Sequence, residues 1–143
     1  MARTIVLSEK NISYRSIDDK NALSFINAVK LGIAFPLFHS IMKNSPFSMN
    51  EWSNYLHLSA RTLQRYKKER KSFDSTSTEK ILEITMLCKL GLEVFGDKEK
   101  FNSWLSRKNV ALGGVKPKEL LDNSFGIDVL KDELLRIQHG ILA

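Results

Sequence analysis

The sequence has few of the residues that mark a secreted, membrane-spanning or disulfide-bonded protein. It contains one cysteine among 143 residues, so no internal disulfide can form. Cys88 has apolar neighbours at helical spacing and is predicted to be a buried thiol. No apolar run approaches the roughly 20 residues that a membrane span needs. The N-terminal stretch lacks the apolar core of a signal peptide. We therefore expect a cytoplasmic location and no contact with membranes.

Residue patterns that support catalysis are also missing. The histidines His39, His57 and His139 are far apart, and none has a second ligand at zinc-like spacing. The Gly113-Gly114 pair follows no strand, no GxxxxGK[ST] phosphate loop occurs, and there is no nucleophilic-serine motif. The carboxylates are scattered along helix faces, as solvated charges usually are. The sequence predicts a protein that is not an enzyme and needs no cofactor or metal.

Length and periodicity predict an all-α protein. The chain is long enough to bury a core as one domain or two small ones. Apolar residues make up 43% of it and charged residues 27%, which is ordinary for a globular protein. We predict a loosely ordered arm over residues 1–20, a helix-turn-helix domain over 21–75 and a small helical domain over 76–143. The polar, Ser/Thr-rich segment Ser72–Thr78 marks the expected boundary.

Positive charge is concentrated in the first half of the chain. Residues 1–75 hold 12 Lys/Arg and 6 Asp/Glu, a surplus of six, whereas residues 76–143 hold 10 of each. Six of the basic residues lie between Arg61 and Lys71. A localised surplus of this kind is typical of a nucleic-acid-binding surface. A solvated, basic helix end is the alternative explanation.

Four short helices are predicted in the first half. The first ends near Gly32, and the second spans Phe35–Lys43. Ser48 and Glu51 have the spacing of a capping box, which opens a third helix. Ser59 is the expected N-cap of the fourth. The last two are joined by a turn of three or four residues and the second is basic, which is the pattern of a helix-turn-helix.

The basic helix of that pair carries the candidate DNA contacts. Leu63 and Tyr66 are expected to face the partner helix. Arginine pairs with guanine edges and glutamine with adenine, and the first residues of a recognition helix reach the bases. The candidates for base contact are Ala60, Arg61, Gln64 and Arg65. Ser59, Thr62, Lys67, Lys68, Arg70 and Lys71 complete the DNA-binding set, mostly as phosphate contacts. The alternative is a helical hairpin whose charge serves solubility alone.

The second half begins with a strongly apolar helix. It is predicted over Glu79–Phe95, with Thr78 or Ser75 as its cap, and apolar residues on two of its sides indicate a central position. Gly96 is the expected stop, and Asp97 is the expected cap of the next helix.

A glycine-bearing corner, Trp104–Leu121, follows that next helix. A new helix is predicted to start at Pro117, because proline is favoured at the first helical position. The last helix is expected over about Ile127–Gly140. The apolar residues after it are expected either to dock on their own protein or to insert into a partner.

Several pieces of the second half resemble the toxin-binding domain of the Xre/MbcA/ParS antitoxin family. They are Val94–Lys100 (VFGDKEK), Trp104-Leu105, Asn109–Leu121 and Arg136–Ala143 (RIQHGILA), in the order and spacing of the family. The helix in SARTLQRYKKERK is also similar to the family's helix-turn-helix segment. One departure is Val110, where the family pattern usually has proline after asparagine.

This resemblance implies the antitoxin of a type II toxin-antitoxin system, commonly encoded beside a RES-domain toxin that consumes NAD. It implies a homodimer that covers the toxin's active site with its C-terminal domain, places its tail at the active-site entrance, and represses its own operon by binding operator DNA. The implied toxin-binding residues are Trp104, Asn109, Leu112, Gly113, Gly114, Pro117, Leu120, Leu121, Gln138, His139, Gly140, Ile141, Leu142 and Ala143.

Two alternatives stay open at the level of sequence. One is a stand-alone helix-turn-helix transcriptional regulator whose C-terminal half serves dimerisation. The other is a toxin binder whose helix-turn-helix has lost contact with DNA.

Overall fold

The computed structural model describes residues 22–140 of the chain. Within this range it contains seven α-helices, two short 3-10 helices and no β-strand, which confirms the all-α prediction. The helices are α1 (Ala22–Leu31), α2 (Phe35–Asn44), α3 (Met49–Leu56), α4 (Ala60–Glu69), α5 (Ser75–Phe95), α6 (Lys98–Ser106) and α7 (Ser124–Gln138), and the 3-10 helices span Val110–Leu112 and Pro117–Leu120. The predicted arm over residues 1–20 lies outside the described residues.

The chain forms two compact units that divide between Met86 and Leu87. The division therefore lies within α5, whereas the composition of the sequence places the boundary at Ser72–Thr78. That polar segment contains the start of α5, and its polar side chains are used inside the first unit. Asp74 accepts from the Ser77 amide in the first turn of α5, and Thr78 accepts from the Ile33 amide. The pairing explains why its polar composition does not coincide with the division.

The start of α5 differs from the prediction. The helix begins at Ser75, one turn before Glu79, and neither Thr78 nor Ser75 is its cap. The carboxylate of Asp74 accepts a hydrogen bond from the Ser77 amide at 2.8 Å and so caps the helix instead. Thr78 is fully buried, and its hydroxyl accepts from the Ile33 amide at 3.1 Å.

Aromatic rings fill the core of the first unit. The Phe38 ring lies 5.3 Å from Trp52 and 5.0 Å from Phe73, between centroids. Trp52 is fully buried, and its indole N–H donates to the Ser45 hydroxyl at 3.0 Å, so its one polar atom is satisfied. These contacts hold α2, α3 and the segment after α4 around a single core.

Gly32 allows the chain to turn sharply between α1 and α2. Its φ is +81°, and a Cβ there would lie 2.1 Å from the Phe73 carbonyl oxygen. Because the backbones approach so closely, Phe73 donates its amide hydrogen to the Ile33 carbonyl at 2.8 Å. The end of α1 thereby ties down the segment that follows α4, and the predicted stop at Gly32 is confirmed.

The second unit contains a smaller aromatic cluster. The Phe101 ring lies 6.0 Å from Phe95 and 6.2 Å from Trp104. Gly91 makes room for Phe101, since a Cβ at Gly91 would lie 2.1 Å from that ring. Leu130 and Leu134 are fully buried on α7.

Two boundaries of the second unit correct the predictions. Pro117 begins a short 3-10 helix rather than an α-helix, and the last α-helix starts at Ser124 rather than near Ile127. The Asn123 side chain caps it by accepting from the Gly126 amide at 2.7 Å. Proline at a first helical position is compatible with both kinds of helix, so its presence does not select the α form.

Cys88 lies on α5 as a free thiol and is half-buried, less than the sequence predicts. Burial of the sulfur nevertheless raises its pKa to about 12. Within residues 22–140 no helix is long and apolar enough to cross a bilayer, and no group of three or more potential ligands is placed to hold a metal ion.

Candidate functional site

The helix pair α3–α4 in the first unit is held by side-chain caps. Ser48 accepts from the Glu51 amide at 3.1 Å, and the Glu51 carboxylate accepts from the Ser48 amide at 3.0 Å, which confirms the capping box. The turn after α3 passes through His57 in the left-handed conformation, at φ 58° and ψ 35°. Ser59 then caps α4 by accepting from the Thr62 amide at 3.0 Å. The two helices and their turn follow the predicted pattern.

The orientation of α4 separates its apolar and basic residues. Leu63 is fully buried, whereas Tyr66 is half-buried, with its ring 5.2 Å from that of Phe73. Every predicted base-contacting residue is exposed, namely Ala60, Arg61, Gln64 and Arg65, and so are Ser59, Lys67, Lys68, Arg70 and Lys71. Thr62 is half-buried, and its hydroxyl pairs with that of Ser59 at 2.9 Å. Nine of the ten predicted DNA-binding residues thus lie on one accessible surface.

The basic residues of this surface, from Arg61 to Lys71, form no ion pair with a carboxylate among residues 22–140. Two of them lie against an aromatic ring instead: the Lys71 ammonium is 5.2 Å and the Arg65 guanidinium carbon 5.7 Å from the Tyr66 centroid. The Tyr66 ring therefore helps to position Arg65 and Lys71, and their positive charges remain available to a bound anion.

The corner in the second unit is a closed, hydrogen-bonded loop. The Asn109 amide donates to the Val115 carbonyl at 2.9 Å, and the Gly114 amide donates to the Asn109 carbonyl at 2.8 Å. The Asn109 side chain accepts from the Ala111 amide at 2.8 Å. Gly113 and Gly114 have φ of +82° and +85°, which only glycine adopts readily. The loop is held by its own hydrogen bonds, although Val110 replaces the family's proline.

The residues that the resemblance assigns to toxin binding divide by burial. Pro117 and Leu121 are buried, so they support the exposed residues of this set by packing from the interior. Trp104, Asn109, Leu112 and Leu120 are half-buried, and Gly113, Gly114, Gln138, His139 and Gly140 are exposed. The remaining three, Ile141, Leu142 and Ala143, lie outside the described residues.

Four large exposed apolar residues in the described part of this unit are absent from the predicted set, and one of them, Leu92 on α5, is 36% exposed. Val110 is 93% exposed, Phe125 is 84% exposed and Val129 is 47% exposed. Phe125 and Val129 are four positions apart on α7 and so share a face. The sequence does carry a signal for these two residues, because they lie outside the buried stripe of Leu130 and Leu134. Reading that signal requires the correct start of α7.

The start of α7 holds Phe125 in a fixed direction. Its neighbour Gly126 is buried, and a Cβ at Gly126 would lie 1.9 Å from the Leu120 carbonyl oxygen. The next residue, Ile127, is also buried. With the cap from Asn123, these contacts present the Phe125 ring to solvent on rigid backbone.

Comparison with known proteins finds similarity to one family, carried mainly by this unit. Residues 90–140 match the antitoxin Xre/MbcA/ParS C-terminal toxin-binding domain. The chain is 24% identical over 119 residues to "Antitoxin Xre" of Yersinia enterocolitica, which covers 82% of this chain and 80% of the relative. It is 24% identical over 113 residues to "Antitoxin Xre" of Photorhabdus laumondii, covering 78% and 76%. The resemblance seen in the sequence is confirmed.

Proposed function

We propose that this chain, an antitoxin of the Xre/MbcA/ParS type, binds and neutralises a RES-domain toxin that consumes NAD, and represses its own operon through α3 and α4. The observation that carries the proposal is the match of residues 90–140 to a toxin-binding domain. The similarity to two Xre antitoxins extends over about four-fifths of the chain, so it includes α3 and α4 as well.

The surface of the second unit supports protein binding. Val110, Phe125 and Val129 expose apolar area that residues 22–140 leave uncovered. Covering such area yields about 25 cal/mol per Å², and aromatic residues held on rigid backbone are common interface hot spots. In this proposal they contact the toxin together with the half-buried Trp104 and Leu112, and residues 138–143 enter its active-site entrance. Any NAD chemistry then belongs to the toxin.

Deletion of Gly140–Ala143 tests the tail. We expect the shortened chain to keep its helical circular dichroism and its affinity for operator DNA, and to lose protection of cells against the toxin encoded beside it. Ile141→Ser with Leu142→Ser preserves the length and asks whether apolar character is needed. Full protection by the deletion variant would show that the tail mechanism is wrong. Failure of the intact chain to co-purify with the neighbouring gene's product would instead favour a stand-alone regulator.

The α4 surface supports DNA binding. Arg61, Gln64 and Arg65 lie exposed along the first turns of α4, and the other cations surround them without carboxylate partners among the described residues. In this proposal the two arginines and the glutamine read base edges, the lysines contact phosphates, and two copies of the chain bind two half-sites.

The test is Arg61→Ala with Arg65→Ala in an operator-binding titration. Each bidentate contact contributes about 1–3 kcal/mol, so the double variant should bind more weakly and discriminate less between operator and unrelated DNA. Lys98→Ala with Lys131→Ala removes two exposed cations elsewhere and serves as the control. Unchanged affinity of the arginine variant would contradict the assignment and leave toxin binding untouched.

A further inference from the structure

A pocket in the second unit is lined by three cations and by no carboxylate among the described residues. It has a volume of about 320 Å³ and is lined by Lys100, Ser103, Trp104, Arg107, Lys108 and Asn109. All six residues lie on α6 or directly after it. The three cations are exposed, whereas Trp104, Ser103 and Asn109 are half-buried and form its walls.

The three cations have no opposite charge of their own. None of Lys100, Arg107 and Lys108 forms an ion pair with a carboxylate within residues 22–140. The second half of the chain is neutral overall, yet residues 98–118 hold six Lys/Arg and a single carboxylate, Glu99. Like charges placed together repel one another unless an anion binds between them. The arrangement is therefore suited to an anionic ligand.

The walls of the pocket add aromatic and polar contacts. The Trp104 ring is held by Phe95 at 5.7 Å and Phe101 at 6.2 Å. Asn109 uses its side-chain oxygen Oδ1 to accept from the Ala111 amide, and its side-chain nitrogen Nδ2 has no acceptor among the described residues. The pocket thus offers a rigid ring, a neutral N–H donor and three cations over a short distance.

The position of the pocket on α6 favours a carboxylate over a phosphate. It lies at the C-terminal end of the helix, where unpaired carbonyls carry partial negative charge that attracts the cations and opposes a doubly charged anion more than a singly charged one. A carboxylate brings one negative charge to this place, whereas a phosphate brings up to two. The unit also matches a toxin-binding domain, while the cations suited to nucleic acid lie on α4 in the other unit.

We infer that the Trp104 pocket receives an acidic side chain of the toxin, with Arg107, Lys100 and Lys108 pairing with its carboxylate. This inference rests on the proposed function and names the chemistry of one contact within it. Arg107 is best suited to two parallel hydrogen bonds, because the guanidinium matches the geometry of a carboxylate. The lysines supply point charges at the rim.

A direct test uses model anions and the signal of Trp104. The chain has two tryptophans, and Trp52 is fully buried with its indole N–H bonded to Ser45. We expect hexaglutamate at millimolar concentration to shift the Trp104 indole resonance in an NMR titration and to leave that of Trp52 in place. Inorganic phosphate and hexalysine should shift it much less. An equal response to phosphate, or no response to hexaglutamate, would overturn the inference.

A second test uses charge reversal and the full chain with its co-expressed toxin. Lys100→Glu with Arg107→Glu should raise the Kd for the toxin by about tenfold or more, because like charges facing each other cost several kcal/mol. Lys98→Glu with Lys131→Glu changes the net charge equally outside the pocket and should alter the Kd by less than about twofold. Lys100→Gln with Arg107→Gln removes the two charges without reversing them and should raise the Kd by an intermediate factor. This variant keeps the test valid if the charge-reversed variant misfolds.

The outcomes separate this inference from the proposed function. Equal weakening by the pocket and control variants, or no weakening by either, would overturn the pocket while toxin binding stands. An intact chain that does not bind the toxin would refute the proposed function, and the hexaglutamate titration would still decide whether the pocket accepts carboxylates.

Discussion

At the residue scale, Gly126 shows how a single missing side chain positions the start of α7. Alanine normally stabilises a helix by about 0.5–1 kcal/mol relative to glycine. Here a Cβ would lie 1.9 Å from the Leu120 carbonyl oxygen, which belongs to the backbone and cannot move aside. The close approach sets the packing of α7 on the 3-10 helix Pro117–Leu120.

We therefore expect Gly126→Ala to lower the free energy of unfolding by about 1–3 kcal/mol, as overpacking does. Urea denaturation followed by circular dichroism measures it. Ser124→Ala, two positions away and exposed, is the control and should change stability by less than about 0.5 kcal/mol. A stabilised Gly126→Ala protein would show that the two backbones separate at little cost.

Cys88 leads to a prediction about pH. Burial raises its pKa from 9.0 to about 12, so the folded state keeps the thiol neutral where the unfolded state ionises. The stability that this provides is complete below pH 9 and is lost as the pH rises towards 12. The Cys88→Ala variant should therefore lose less free energy of unfolding between pH 9 and pH 12 than the parent chain does. Identical pH profiles above pH 9 would contradict the assignment.

Local residue roles were predictable where both partners are close in sequence. Ser48, Ser59 and Asp97 cap their helices as expected, because a cap joins positions two or three residues apart. Thr78 was predicted as a cap for the same reason, yet it bonds to Ile33, 45 positions away. A sequence pattern contains no information about which distant amide a threonine will meet.

At the scale of elements, Thr78 joins α5 to the turn after α1. It is fully buried and satisfies the Ile33 amide, which is buried too. Valine has nearly the same shape without the hydroxyl, so it would leave that amide unpaired.

Thr78→Val should lower the free energy of unfolding by about 1–3 kcal/mol, the cost of an unsatisfied buried donor. Thr76→Val, on the same helix and exposed, should have little effect. Thermal denaturation of the two variants side by side gives the comparison. Equal melting temperatures would mean that the Ile33 amide finds another acceptor.

Helices were predictable from periodicity, but the kind of helix at Pro117 and the start of α7 were not. Pro117 begins a 3-10 helix, and α7 begins at Ser124 rather than near Ile127. Three residues separate this 3-10 helix from α7, and the first of them, the buried Leu121, anchors the turn. This packing decides where α7 starts and therefore that Phe125 is exposed. Phe125 is for this reason absent from the binding surface predicted from the sequence.

At the scale of the whole molecule, charge is divided unevenly along the chain. The surplus of six positive charges lies in residues 1–75, and those on α4 are exposed. Proteins that neutralise DNA phosphates release counterions, so their affinity falls with salt at a slope of about −0.9 per phosphate contact.

We expect the affinity for operator DNA to fall steeply with salt, and Lys67→Ala with Lys68→Ala to reduce the slope by about 2 on logarithmic axes. Fluorescence anisotropy at several salt concentrations measures both slopes. The pair Lys98→Ala and Lys131→Ala is the control and should leave the slope unchanged. A slope that is the same in all three proteins would exclude these lysines as phosphate contacts.

The sequence by itself determined the helical class, the caps at Ser48, Ser59 and Asp97, the exposed basic face of α4 and the resemblance of the second half to an antitoxin family, because each depends on residues within a few positions or on a shared order of motifs. Only the tertiary structure decided that Thr78 pairs with Ile33, that Pro117 and Leu121 are buried, and that Phe125 is exposed. The reason is physical: burial and charge proximity depend on which segments meet in space, and helical periodicity does not specify those meetings.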